Sequence, residues 1–213
     1  MRKRAAQRTV LLAIVLATLS GCISIGGGNK NAPPAAIYAL HPAGAAKAVT
    51  ISKGQAAITI AVPKPDVPAG FSTDRIALYL ENGRRLDYYE GALWAARLDD
   101  LLQKFVIQTA RQTLPGKIVD TPDLATSPRF KLMLKVTDFQ PVYERAADTP
   151  PRLDADMSVT LIALPANTIT TQFTVKESTR AAANTQTAVT QGLEKLLQTM
   201  MEQTMQKIAP VLR

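Results

Sequence analysis

The chain has 213 residues, 46% of them hydrophobic, with 25 basic against 17 acidic side chains and a formal charge of +8. Arg2, Lys3, Arg4 and Arg8 precede residue 22 with no acid among them, so the remainder carries 21 basic against 17 acidic residues, or +4. So small an excess, with no basic run or basic–aromatic patch, argues against a nucleic-acid partner, and a single cysteine rules out an internal disulfide.

The chain opens with those four cations, then an apolar run from Val10 to Leu19, then the small residues Ser20 and Gly21. This is the charged, apolar and small-residue order of a secretory signal. The run is about half of the ~20 residues that span a bilayer. Leu19-Ser20-Gly21-Cys22 resembles the lipoprotein box of bacterial export signals. The resemblance implies cleavage before Cys22, a diacylglycerol on its sulfur and an acyl group of the palmitate kind on its new amino group. A thiol suits that chemistry because sulfur is the strongest side-chain nucleophile near neutral pH. Ile23, where an Asp would imply retention in the inner membrane, points by the same resemblance to the outer membrane, facing the periplasm.

Residues 1–21 are thus read as signal peptide, 22–36 as acylated N-terminus and linker, and 37–213 as one domain. Ser24 to Ala36 is rich in Gly, Pro and Ala. A linker of that length reaches roughly 20 Å as a coil and at most about 45 Å extended. Gly26-Gly27-Gly28-Asn29-Lys30 lacks the spacing and the Lys-Ser/Thr ending of a phosphate loop.

In the domain, Ile37-Tyr38-Ala39-Leu40 reads as a first strand and His41 to Gln55 as loop. Ala57 to Val62 alternates as a strand that the prolines of Pro63 to Gly70 stop. Arg75 to Tyr89 is a hairpin about Asn82-Gly83, a pair suited to a type I′ turn. A two-residue turn sets Tyr79 opposite Leu86 and Ala77 opposite Tyr88. Both faces of this ribbon carry apolar groups, so it is expected to be covered on both sides or to serve as a contact surface. Gly91 to Thr113 is predicted as a helix with Leu98, Leu101, Leu102, Phe105 and Thr109 on one stripe. Lys117 to Val119 is a short strand, and Thr121 to Pro128 a loop. Phe130–Asp138, Leu153–Leu164 and Ile169–Glu177 each alternate with period two, the last two joined by a tight turn at Pro165-Ala166-Asn167. In the third strand Ile169, Thr171, Phe173 and Val175 share the apolar side. A final helix from about Arg180 to Ala209 carries Val189, Leu193, Leu196, Leu197, Met200, Thr204 and Ile208, widened by Met201 and Met205. That stripe is read as core packing, with an acyl-chain groove or a partner helix as the competing use of so much methionine. The order predicts an α+β fold with a largely antiparallel sheet and two main helices on one face.

Little here reads as catalysis. His41 stands alone, with no second histidine or free cysteine for zinc and no Gly-x-Ser-x-Gly elbow for a triad. Asp154 with Asp156, and Asp99 with Asp100, are pairs that could serve acid–base work but read more simply as solvated acids. No catalytic, cofactor or metal residues are assigned. The only attached group expected is the lipid on Cys22.

Leu86-Asp87-Tyr88-Tyr89-Glu90-Gly91-Ala92-Leu93-Trp94, running into Ala95 to Leu102, resembles the ABC-type transport auxiliary lipoproteins, the PqiC-like partners of MCE-domain lipid transport systems. The lipobox, short linker, Tyr38-Ala39-Leu40 strand and Pro-rich stretch fall in that family's order. The resemblance implies a non-catalytic, outer-membrane-anchored periplasmic component that docks an MCE protein, a permease and an ATPase moving lipids or hydrophobic solutes. Candidate partner-binding residues are Tyr79, Leu86, Tyr88, Tyr89 and Trp94, although Tyr88 and Trp94 also suit stapling of helix to sheet. The alternative function is a lipoprotein that binds or activates a cell-wall synthesis enzyme, and a homo-oligomer is left open.

Overall fold

A computed structural model describes residues 34–44, 58–114, 116–120, 127–144 and 149–212. The signal, Cys22 and the linker as far as Pro33 lie outside them. The strands are β1 (Ala36–Tyr38), β2 (Thr59–Ala61), β3 (Arg75–Leu80), β4 (Arg85–Trp94), β5 (Lys117–Val119), β6 (Phe130–Val142), β7 (Arg152–Ala163) and β8 (Thr168–Arg180). Helix α1 (Leu98–Thr113) joins β4 to β5, and α2 (Gln186–Ile208) follows β8, ending in a 3₁₀ turn at Ala209–Val211.

The sheet is forked at β6. One edge of β6 pairs antiparallel with β7, which pairs antiparallel with β8. The other edge takes β2 near Phe130 and β3 at Val142, both parallel. Between them Asp66 of the Pro-rich loop bridges it, its N–H on Leu134 O and its carbonyl on Val136 N. β5 pairs parallel with β2, β4 antiparallel with β3, and β1 parallel with β4. The α+β class holds, but the sheet is mixed rather than largely antiparallel. Period-two alternation reports which face is buried and is blind to strand direction. The parallel partners include strands of only three residues, β1, β2 and β5, too short to announce their direction.

The three long strands turn one face to the helices. On β7, Leu153, Ala155, Met157, Val159 and Leu161 are buried, and on β6 Phe130, Leu132, Leu134 and Val136. Two bulges then redirect side chains. An extra residue on β6 between Val136 and Asp138 brings Phe139, and not Asp138, back to the core opposite Ala155. An extra residue on β8, Thr170, sets Ile169 opposite Ile162 while Thr171 stays opposite Leu161. Ile169 therefore moves to the open face, 60% exposed, and does not share the core side with Phe173 and Val175 as its spacing predicts.

β6 also outruns its expected end at Asp138 and carries Pro141 inside the strand. Alternate N–H groups of a strand point to one side. Tyr143 N bonds Tyr79 O, so Pro141 turns its missing N–H to the same β3 side, where the ladder begins only at Val142.

Both helices start later than expected. Residues Gly91–Trp94 stay in β4 because β1 pairs with them, Ala36 to Ala92 and Tyr38 to Trp94. α1 begins at Leu98 with Asp99 and Asp100 in its first turn, where negative charge suits the helix dipole. α2 begins at Gln186 because β8 pairs to Arg180; Thr185 then caps the helix, its Oγ1 accepting from Ala188 N at 3.2 Å. The α1 stripe (Leu98, Leu101, Leu102, Phe105, Thr109) and the whole α2 stripe, Met200, Met201 and Met205 included, are buried. α2 lies on β7 and β8 and also meets β6 and α1. Its methionines are core, which removes the acyl-groove reading. The segment after β1 runs along α2, with His41 N on Glu194 Oε2 (2.9 Å) and Ala43 N on Gln198 Oε1 (3.2 Å).

Candidate functional site

The hairpin takes the expected register, Tyr79 opposite Leu86 and Ala77 opposite Tyr88. Its turn is longer than two residues. Glu81 to Arg84 form it, with positive φ at Glu81 (55°), Asn82 (57°) and Gly83 (88°). Gly83 N and Arg84 N both donate to Leu80 O, and Asn82 N donates to Tyr143 O at 3.0 Å, which ties the tip to the end of β6. Arg85 pairs with Glu81 across the turn, an exposed contact that contributes little to stability.

The structure separates the candidate aromatics. Tyr79, Leu86 and Tyr88 lie on one side of the ribbon, under residues 67–73. Phe71 meets Tyr79 edge-on at 5.9 Å, Tyr88 Oη donates to Gly70 O at 3.0 Å, and the Arg75 guanidinium sits 3.8 Å over the Tyr88 ring. Leu86 packs against Gly70, where a Cβ would come within 2.7 Å of Leu86 Cδ2, yet remains 38% exposed. Tyr89 faces the other way. With Leu78, Leu80, Tyr143, Asn184 and Gln186 it lines an open cleft of about 380 Å³. Trp94 belongs to neither surface. It is 4% exposed, packed in the core near Phe139 of β6 at 6.5 Å between ring centres.

Inside the cleft three side chains form a hydrogen-bonded chain. Tyr143 Oη donates to Asn184 Oδ1 at 2.8 Å, which leaves its oxygen to accept from Tyr89 Oη at 2.9 Å. Burial, and then the bond to Tyr143, push the Tyr89 phenol well above its usual range. At neutral pH the Tyr89 phenol keeps its proton. It ties β4, β6 and the approach to α2 together, and Gln186 Nε2 adds a bond to Glu90 O at 2.8 Å.

The other titratable candidates are engaged structurally. Asp154, on the open face of β7, takes Arg152 Nε at 2.9 Å and Ser178 Oγ at 2.8 Å, while Arg152 also pairs with Glu144. Burial acts to raise the Asp154 carboxyl, but the bonds from Arg152 and Ser178 prevail and hold it low. Asp156 pairs with Lys176. His41 lies along α2, across the sheet from Asp154, so the two candidate groups do not converge. Asp99 and Asp100 hold Lys64, and Asp99 also takes Arg97, which reaches Ser72. Burial again works upward on Asp99, and Arg97 and Lys64 override it, leaving its carboxyl below the usual range. Among the described residues no group of three His, Cys, Asp or Glu side chains is disposed to hold a metal ion.

Tyr143, Asn184, Gly70 and Phe71 were absent from the sequence-based site. Tyr143 sits beyond the expected strand end at Asp138, and Asn184 in a turn just before the cap at Thr185. Neither position advertises a partner on another element.

The fold places the chain in a defined structural class. It matches protein XCC0632 of Xanthomonas campestris, belonging to family DUF330, with a TM-score of 0.66 at 18% identity, over 83% of this chain and 96% of that one. An uncharacterised protein matches with a TM-score of 0.65 at 12% identity, over 83% and 99%. The hypothetical protein CT253 of Chlamydia trachomatis matches at 0.50 and 9%, over 74% and 98%. No curated protein matches the chain. Residues 38–205 match the ABC-type transport auxiliary lipoprotein component family, and the chain belongs to that family. It is therefore an auxiliary lipoprotein of ABC-type transport and, as such, a membrane-anchored protein of the cell envelope.

Proposed function

We propose that the protein is anchored in the outer membrane through lipid on Cys22, faces the periplasm, and acts without catalysis as the docking component of an MCE-type ABC system for lipids or other hydrophobic solutes. The observation that carries this reading is the family match over residues 38–205, downstream of the Leu19-Ser20-Gly21-Cys22 box. Position is then the main contribution of the chain. The acyl chains hold it, each buried methylene contributing roughly 0.8 kcal/mol. The linker sets its reach, and the hairpin with Leu86 and the Tyr89 cleft is the surface offered to the MCE protein, with the permease and ATPase further along.

The test places a photo-crosslinking amino acid at Leu86 in cells. Capture of the MCE-domain protein is the expected result, and loss of that adduct and of transport in Cys22→Ala, with the domain still folded, is its companion. Capture of a peptidoglycan synthase that persists after deletion of the transporter would instead favour the cell-wall role.

A further inference from the structure

Strand β8 has one partner, β7, and its other edge is open among the described residues. Thirteen residues is long for an edge strand. Edges exposed to solvent are ordinarily blunted by shortness, proline or charge, because their free N–H and C=O groups template further pairing. Here Thr168 to Val175 carries no charge and no proline, and it is built from Thr, Ile, Gln, Phe and Val, residues mostly suited to a pleated surface. The three charges, Lys176, Glu177 and Arg180, all lie in the other half. One bulge, at Thr170, is its only break.

That asymmetry is self-complementary. A two-fold axis perpendicular to the sheet pairs β8 antiparallel with β8 of a second copy and keeps each face continuous. Centred on Thr174, it sets Lys176 opposite Gln172 and Glu177 opposite Thr171, so both charges within the regular stretch between Thr171 and Glu177 meet an uncharged residue; beyond Thr171 the bulge shifts the pairing. Registers centred on Lys176 or Ser178 set Lys176 against itself or against Arg180, and like charges directly opposite are destabilising. We propose that β8 is a homodimer interface, joining two copies through this edge into one continuous sheet with about six to eight new backbone hydrogen bonds between residues 171 and 177 of each copy. The long open-face strands leave room for it, because α2 covers only their other face.

The experiment uses the full-length acylated protein in its own membrane. Thr174→Cys, exposed on the open face, is treated with a short bis-maleimide. Lys135→Cys, in the same cross-strand row but two strands in from the edge, is the control, as is the unsubstituted chain with Cys22. A covalent homodimer from Thr174→Cys alone is expected. Thr174→Lys and Thr174→Glu should each weaken the dimer roughly fivefold, and mixing the two should restore it as a heterodimer. A monomer, an adduct with a different protein, or an oligomer whose Thr174→Cys residues do not crosslink would each overturn the proposal, as would failure of the mixed pair to recover.

Discussion

The Tyr89–Tyr143–Asn184 chain makes an ordered prediction about stability. Tyr143→Phe deletes the central oxygen and with it two hydrogen bonds, leaving the Tyr89 hydroxyl without its acceptor and Asn184 Oδ1 without this donor. Stranding a buried polar group costs about 1–3 kcal/mol. Tyr143 is buried but Tyr89 is only half-buried, so cleft water recovers part of the loss, and the expected cost is about 2–3 kcal/mol. Tyr89→Phe removes one bond and leaves Tyr143 still donating to Asn184, a cost of about 1 kcal/mol. The double variant removes no bond beyond those already lost in Tyr143→Phe, so its cost should fall short of the sum by about 1 kcal/mol. Urea unfolding followed by the fluorescence of Trp94, the single tryptophan and a buried one, reads all three. A second readout is alkaline pH. Because the folded state raises the Tyr89 pKa, the stability it contributes is complete below the unfolded value near 10 and declines as pH rises beyond it. Tyr89→Phe should flatten that decline. Tyr89→Phe costing as much as Tyr143→Phe, or strict additivity in the double variant, would refute the chain as a cooperative unit.

Gly116, at φ 92°, stands where a Cβ would collide with the Ile58 carbonyl oxygen that accepts from Lys117 N. Gly116→Ala should cost about 2–4 kcal/mol, against about 1–2 for Gly83→Ala, which has equal φ strain but open space around it; equal denaturation midpoints would contradict this. On the acid side, Asp99 and Asp154 both have lowered carboxyl pKa values, so their stabilisation is complete above about pH 4 and is lost as pH falls through their folded values. Asp99→Asn should shrink that acid limb in a pH series of urea melts. Trp94→Ala should cost about 3–5 kcal/mol by leaving a cavity, so its loss of partner capture should track unfolding, whereas Leu86→Ser, at a partly exposed position, should cost only about 1 kcal/mol and impair capture in protein that is still folded.

How much of this was legible depends on what each residue touches. Core stripes were readable because burial imposes a period that survives in sequence, and so the hairpin register and both helix faces emerged correctly. Strand direction, the fork at β6 and the bulge at Thr170 were not, because each depends on which other strand lies alongside. Ile169 shows the consequence: its spacing puts it with Phe173, and one extra residue puts it with Ile162 instead. The late starts of both helices have the same origin, since pairing with β1 and β7 outweighs helix propensity at Gly91–Trp94 and beside Arg180.

The candidate site was legible as a stretch and not as a surface. Tyr88 and Tyr89 are adjacent in sequence and point to opposite sides of a ribbon, so one stretch serves two jobs. Tyr88 with Tyr79 and Leu86 closes the Pro-rich loop onto the sheet; Tyr89 recruits Tyr143 and Asn184 to fix the approach to α2. A partner contacting the hairpin would therefore meet Leu86 and the turn on one side, and the rim of the Tyr89 cleft on the other, while Trp94 is buried in the core. The aromatic run thus sets the position of the ribbon from both of its sides, and the proposed contact falls to the exposed tip and the cleft rim.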